Sequence, residues 1–175
     1  MELLLDEVES PLGAMLLAAG GGAVHALEFA DCAPRLRASL SARYGAVTLR
    51  SAADPHGFSG RLRAYWRGDL GALSGIPVEP GGTPFQRRVW AELQRIPPGA
   101  TRSYGEVAAS LGQPSASRAV GLANGRNPVC LVIPCHRVVG ARGDLTGYAG
   151  GLARKRQLLA HEGASGEAGE RLLRL

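Results

Sequence analysis

Residues Pro134-Cys135-His136-Arg137-Val138 set a thiol beside an imidazole and a guanidinium, directly after the apolar run 129–133. A thiol attacks carbon well only as thiolate, and a nearby base or cation lowers its pKa, to ~3.5–7.5 in activated sites. His136 and Arg137 are of the right types to do so. Adjacency alone leaves two readings open, because neighbours on an extended chain point in opposite directions. Cys135 is either a nucleophile or a small buried hydrophobe. Glu162 raises a second question. It closes an expected helix at the C-terminal end, where an anion costs ~0.3–1 kcal/mol against the dipole. Either it is a solvated helix end softened by His161, or its carboxylate reaches back to orient a histidine. Metal chemistry fits less well. Cys130-x4-Cys135-His136 lacks a second Cys/His pair at structural zinc spacing, and His25 with Cys32 is a lone pair in the first half. The phosphate-cradling GxxxxGKS/T loop is absent.

These groups need elements to hold them. In the first half, runs 15–19 and 24–29 flank Gly20-Gly21-Gly22 as a hairpin. Leu36, Leu40 and Tyr44 give a helix over 33–44, with Gly45 as its C-cap. A second helix is expected over about 57–66. Residues 71–82, rich in Gly and Pro, read as a linker between domains 1–80 and 81–175. In the second half, Thr83, Pro84 and Gln86 form a capping box, and Phe85, Val89, Leu93 and Ile96 form an apolar stripe that ends at Pro97-Pro98-Gly99. Ser103-x-x-Glu106 is a second capping box, opening a helix through Leu111. Gly112 and Pro114 mark a tight turn, and 115–123 is helical again with Ala116, Ala119, Val120 and Ala123 as its small apolar face. Two short helices across such a turn suggest helix-turn-helix. A Gly-rich loop over 140–151 precedes a helix over 152–162 closed by Gly163, and the tail is expected to be loose until Leu172.

Composition sets the partner class. The chain has 175 residues, 20 % charged and 45 % hydrophobic, an ordinary globular balance. Residues 1–80 hold 7 Arg against 9 Asp and Glu, whereas 81–175 hold 13 Lys and Arg against 6. The basic excess lies wholly in the second half and points to an anionic partner there, with nucleic acid the first suspect. No uninterrupted apolar run reaches the ~18 residues of a membrane span. The acidic start lacks the basic region of a secretory signal, and three Cys make an odd number. A reduced, cytoplasmic protein with free thiols is expected.

The motifs GTPFQRRVW, SYGEVA, SRAVGLANGRNP, VIPCHRVVG, GYAGG and LLAHEG run in order from about residue 83 to 163. Over this span the chain resembles the O6-alkylguanine-DNA alkyltransferases in their bacterial single-chain form. The first half matches loosely, chiefly in RAYWRGDL. The resemblance implies an α/β N-terminal domain with a small antiparallel sheet and a mainly α, winged-helix-like C-terminal domain. It implies stoichiometric, irreversible alkyl transfer to Cys135 from O6-alkylguanine, and from O4-alkylthymine, in double-stranded DNA, by a monomer that needs no cofactor and no metal. His136 would deprotonate Cys135 through a water, Glu162 would orient His136, Asn127 would tie the recognition helix to the active-site turn, and Tyr104 would donate to the departing base. Arg118 would fill the stack left by the flipped nucleotide, whose extrusion costs a few kcal/mol. Ser115, Ala116, Ala119 and Arg126 would lie against DNA. Tyr148, Ala149 and the carbonyls of Cys135 and Val138 would line the base pocket. Cys130 stands where many relatives have Pro, and Ala149 where some have Ser. The zinc-binding regulatory domain of some relatives has no counterpart here. A damage-binding protein without transfer, and a Cys/His hydrolase, are the competing readings. Cys135 disfavours the first and the basic helix pair the second.

Overall fold

The computed structural model describes residues 1–164. The tail expectation, up to Leu172, lies outside them for all but Ala164. The described chain divides into two compact units, 1–81 with 128–132, and 82–127 with 133–164.

In the first unit, β1 (Glu2–Val8), β2 (Met15–Gly20), β3 (Ala23–Phe29) and β4 (Thr48–Ser51) form one sheet in the order β3-β2-β1-β4. The hairpin joins β2 and β3 through Gly21 and Gly22, whose φ values of 57° and 79° suit the glycine-only turn that matches strand twist. The sheet is mixed, which corrects the expected antiparallel one. β4 runs parallel to β1, with Leu3 opposite Leu49. The physical reason is α1 (Ala33–Tyr44). A strand that returns parallel needs a helical crossover rather than a tight turn. Leu36 and Leu40 of α1 pack with Leu3, Ala18 and Ala26 as one buried cluster. A second helix, α2 (Phe58–Trp66), buries Phe58, Leu62 and Tyr65 and packs against β1.

Residues 71–82 are not a free linker. Leu73 and Ile76 are buried, and Val24 exchanges backbone hydrogen bonds with Pro77 and Glu79. Arg61 donates to the carbonyls of Ala72 and Ser74, and Arg43 to that of Glu79. Glycine and proline content registers turns here, not detachment. The run 128–132 also belongs to this unit: Leu27 N–H donates to Pro128 O at 3.0 Å and Cys130 N–H to Leu27 O at 2.9 Å.

The second unit is helical. α3 (Pro84–Leu93) opens on the Thr83/Gln86 capping box, with both of its hydrogen bonds present. It ends before Ile96, which is buried in the turn that follows. β5 (Arg102–Ser103) leads into α4 (Tyr104–Ser110), opened by the Ser103/Glu106 box. After a single helical turn at Pro114–Ala116 comes α5 (Ser117–Gly125), starting two residues later than expected. Trp90 Nε1–H donates to Ala123 O at 2.9 Å and ties α3 to α5. β6 (Val138–Val139) pairs parallel with β5, and α6 (Leu152–His161) closes the unit. No described helix is long and apolar enough to cross a membrane.

Candidate active site

Pro134 ends the apolar run, and Cys135–Arg137 form one tight helical turn before β6. Pairing of Arg102 with Val138 and Ser103 with Val139 brings the N-terminus of α4, and so Tyr104, to this turn. Two amides hold the backbone around it. Asn127 Nδ2 donates to Ile133 O at 2.7 Å, and Asn124 Nδ2 to Cys135 O at 3.3 Å. Asn127 was expected here; Asn124, one residue from the end of α5, was not. Its only sequence signal is its place three residues before Asn127.

Cys135 is buried and takes part in no disulfide among the described residues. His136 beside it is wholly buried, and its Nε2 lies 3.0 Å from Glu162 Oε1. Burial pushes the imidazole pKa down, Glu162 pulls it up, and the charges of Arg137 and Lys155 push it down again, for a net lowering. The ring is therefore neutral near pH 7. A carboxylate only accepts, so Nε2 carries the ring hydrogen and Nδ1 keeps its lone pair. No described protein group bonds Nδ1. A neutral imidazole with an open lone pair is able to accept a proton.

Glu162 caps α6, and its awkward place at a helix C-terminus has a local cause. Arg137 grips it as a fork, with Nε 2.8 Å from Oε2 and Nη2 2.7 Å from Oε1, while Nη1 donates to Ile96 O. Burial alone would push the carboxyl up. The hydrogen bonds from His136 and Arg137 outweigh it and hold the group well below the ordinary carboxylate range. The sequence reading gave Arg137 to the thiol; the structure gives it to Glu162, because a buried carboxylate needs donors in a fixed geometry and a guanidinium supplies two at once.

Tyr104 OH donates to Thr146 O at 3.0 Å. Burial, only partly countered by that hydrogen bond, raises its pKa, so the phenol stays protonated. Val138 is buried, Tyr148 half-buried and Ala149 exposed. On the helix pair, Ser115, Arg118, Ala119 and Arg126 are exposed and Ala116 is half-buried. The small face expected over 115–123 is thus divided. Val120 and Ala123 face inward and Ala119 outward. Leu122, 60 % exposed on the same helix, was missed. A lone leucine among small residues gave the only hint.

Fold and site together place a buried cysteine next in sequence to a hydrogen-bonded His–Glu–Arg chain, in the same unit as a helix pair that exposes Arg118 and Arg126. Comparison with known proteins agrees. Residues 84–164 match the model of the 6-O-methylguanine DNA methyltransferase DNA-binding domain. The chain is 43 % identical over 166 residues to the methylated-DNA–protein-cysteine methyltransferase of Shigella flexneri, covering 93 % of this chain and 97 % of that one. It superposes on the crystal structure of Mycobacterium tuberculosis O6-methylguanine methyltransferase with a TM-score of 0.77 at 38 % identity, covering 98 % and 99 % of the two chains. The same organism's OGT in complex with DNA gives 0.76 at 39 % identity, covering 99 % of each chain. The chain belongs to the methylated-DNA–protein-cysteine methyltransferase family.

Proposed function

We propose that this chain repairs DNA by direct reversal, moving the alkyl group of O6-alkylguanine, and of O4-alkylthymine, onto Cys135. The observation that carries this reading is the hydrogen-bonded chain Arg137–Glu162–His136, next in sequence to the buried, non-disulfide Cys135, in a chain of this family. His136 Nδ1 takes the thiol proton through a water. The Cys135 Sγ–carbon bond forms as the carbon–O6 bond breaks, and the electron pair moves into the purine. Tyr104 delivers a proton to the base, which leaves as neutral guanine. The net exchange is the thiol proton for the alkyl group, and the thioether is permanent, so each molecule acts once.

An alkyl carbon inside a duplex is out of reach, so the nucleotide turns out of the stack at a cost of a few kcal/mol. The unit of α3–α6 serves as the winged-helix-like DNA-binding and catalytic domain, with α4 and α5 as its helix-turn-helix. Arg118 fills the vacated stack. Ser115, Ala116 and Ala119 allow close approach, and Arg126 adds phosphate affinity. Tyr148, the backbone at Ala149 and the carbonyls of Cys135 and Val138 receive the base. The protein works as a cytoplasmic monomer.

Intact-mass measurement after incubation with duplex DNA bearing one O6-methylguanine tests this. A gain of about one methylene, mapped to the Cys135 peptide and absent in Cys135→Ala, is expected. Tight binding without a mass change overturns transfer, and label on Cys130 overturns the choice of thiol.

A further inference from the structure

The carbonyl oxygen of Cys135 is held from two sides. Val138 N–H donates to it across the tight helical turn, and Asn124 Nδ2 donates to it from the end of α5 at 3.3 Å. A peptide oxygen has two lone pairs, so both are taken. The two amides around this turn are not alike. Asn127 Nδ2 meets Ile133 O at 2.7 Å, whereas the Asn124 bond is longer than the ~2.7–3.2 Å of ordinary N–H···O bonds. Asn124 is also matched at one end only. It is 3 % exposed, on the buried side of α5 with Val120 and Ala123, and no described group donates to its Oδ1. A buried carboxamide with one long bond and one unpaired oxygen adds little to stability. Leucine, with the same branching and no polar atoms, suits that apolar company better. The asparagine therefore answers to the carbonyl it touches.

We infer that Asn124 is a specificity-determining residue: its amide occupies the second lone pair of Cys135 O whenever the base in the pocket has no amino group to donate there, and so lets one site serve two kinds of base. The role rests on the proposed reading in which this carbonyl receives the base. O6-alkylguanine brings an exocyclic amino group, and the long Asn124 bond yields the oxygen to it. O4-alkylthymine presents a ring carbonyl at the matching place, an acceptor against an acceptor. The Asn124 N–H on Cys135 O softens that contact. Without the amide, a base that carries the amino group still satisfies the oxygen, and a base that lacks it leaves a buried acceptor bare. Sites reject an analogue that leaves their buried polar groups unpaired.

Single-turnover methyl transfer, read as the rate of mass gain on the Cys135 peptide, tests this with duplexes bearing O6-methylguanine, O6-methylhypoxanthine or O4-methylthymine. O6-methylhypoxanthine is O6-methylguanine without the exocyclic amino group, so that pair isolates the one donor. In Asn124→Leu, transfer is expected to fall about fivefold further for the hypoxanthine and the thymine than for the guanine, the loss of one neutral hydrogen bond. A purely structural role, or one in aiming the thiol, lowers all three rates in parallel. Asn124→Ala carries the same comparison if Asn124→Leu does not fold. Rates that keep the wild-type ratio of guanine to hypoxanthine in a folded variant overturn the inference and leave the repair reading standing. Wild type that gains no methyl group from any of the three duplexes overturns the repair reading itself.

Discussion

Glu28 and Glu162 are both buried, at 3 % and 4 % exposure, and both face an arginine. They end at opposite extremes. Glu28 lies on β3, and its Oε1 meets Arg35 Nη1 only as a 3.3 Å ion pair, without a hydrogen bond. Burial pushes its pKa up to about 7, the partly exposed Arg35 fails to pull it back, and Asp31 adds to the rise. Glu162 receives three N–H donors from His136 and Arg137 and stays ionised. Burial does not decide whether a carboxylate keeps its charge; the number and aim of its donors do. Only Glu162 has a charge built into a site.

Three measurements press on that contrast. The largest effect is expected from Glu162→Ala, which leaves Arg137 buried without its partner. Loss of about 3–5 kcal/mol in urea unfolding is expected, together with loss of methyl transfer, because His136 loses the acceptor that fixes its tautomer. A stable, active Glu162→Ala protein would erase the distinction drawn here. Next comes the pH dependence of stability. Glu28 binds its proton more tightly folded than unfolded, so its contribution is full below its unfolded pKa and falls as pH rises toward 7. Glu162 does the reverse, contributing above its unfolded pKa and losing that contribution as pH falls through the acid range. Glu28→Gln is therefore expected to flatten the decline between about pH 4.5 and 7 and to stabilise the protein at pH 8 by about 2–3 kcal/mol, with methyl transfer intact. Denaturant midpoints across pH read this directly, and an unchanged slope would contradict it. The smallest effect belongs to Arg35→Gln. Its partly exposed ion pair contributes no more than about 1 kcal/mol at pH 8, and its removal should steepen the Glu28 slope slightly, as the same titration series would show.

Sequence made the local features plain. Both capping boxes formed, because their hydrogen bonds lie within one helical turn. Glu162 stood out because an anion at a helix C-terminus conflicts with local electrostatics, and such a conflict survives without the fold. What escaped depended on distant partners. β4 is four mostly exposed residues whose strand character comes from β1 alone. Lys155 sits in Arg154-Lys155-Arg156, which reads as a solvated basic edge until the helix register turns one of the three inward. Arg137 looked like an activator of the thiol until Glu162, 25 residues later, claimed its fork.

The hydrogen bonds between Leu27 and residues 128–130 have a consequence for how this chain is made. They close a loop of about a hundred residues, and closure entropy rises only slowly with length, so the penalty is mainly one of time. On the ribosome, the first eighty residues emerge long before their last strand-like partner. The N-terminal unit must wait, incomplete, until the run just ahead of Cys135 has been synthesised. Vectorial synthesis thus makes completion of the older half and delivery of Cys135 nearly simultaneous events.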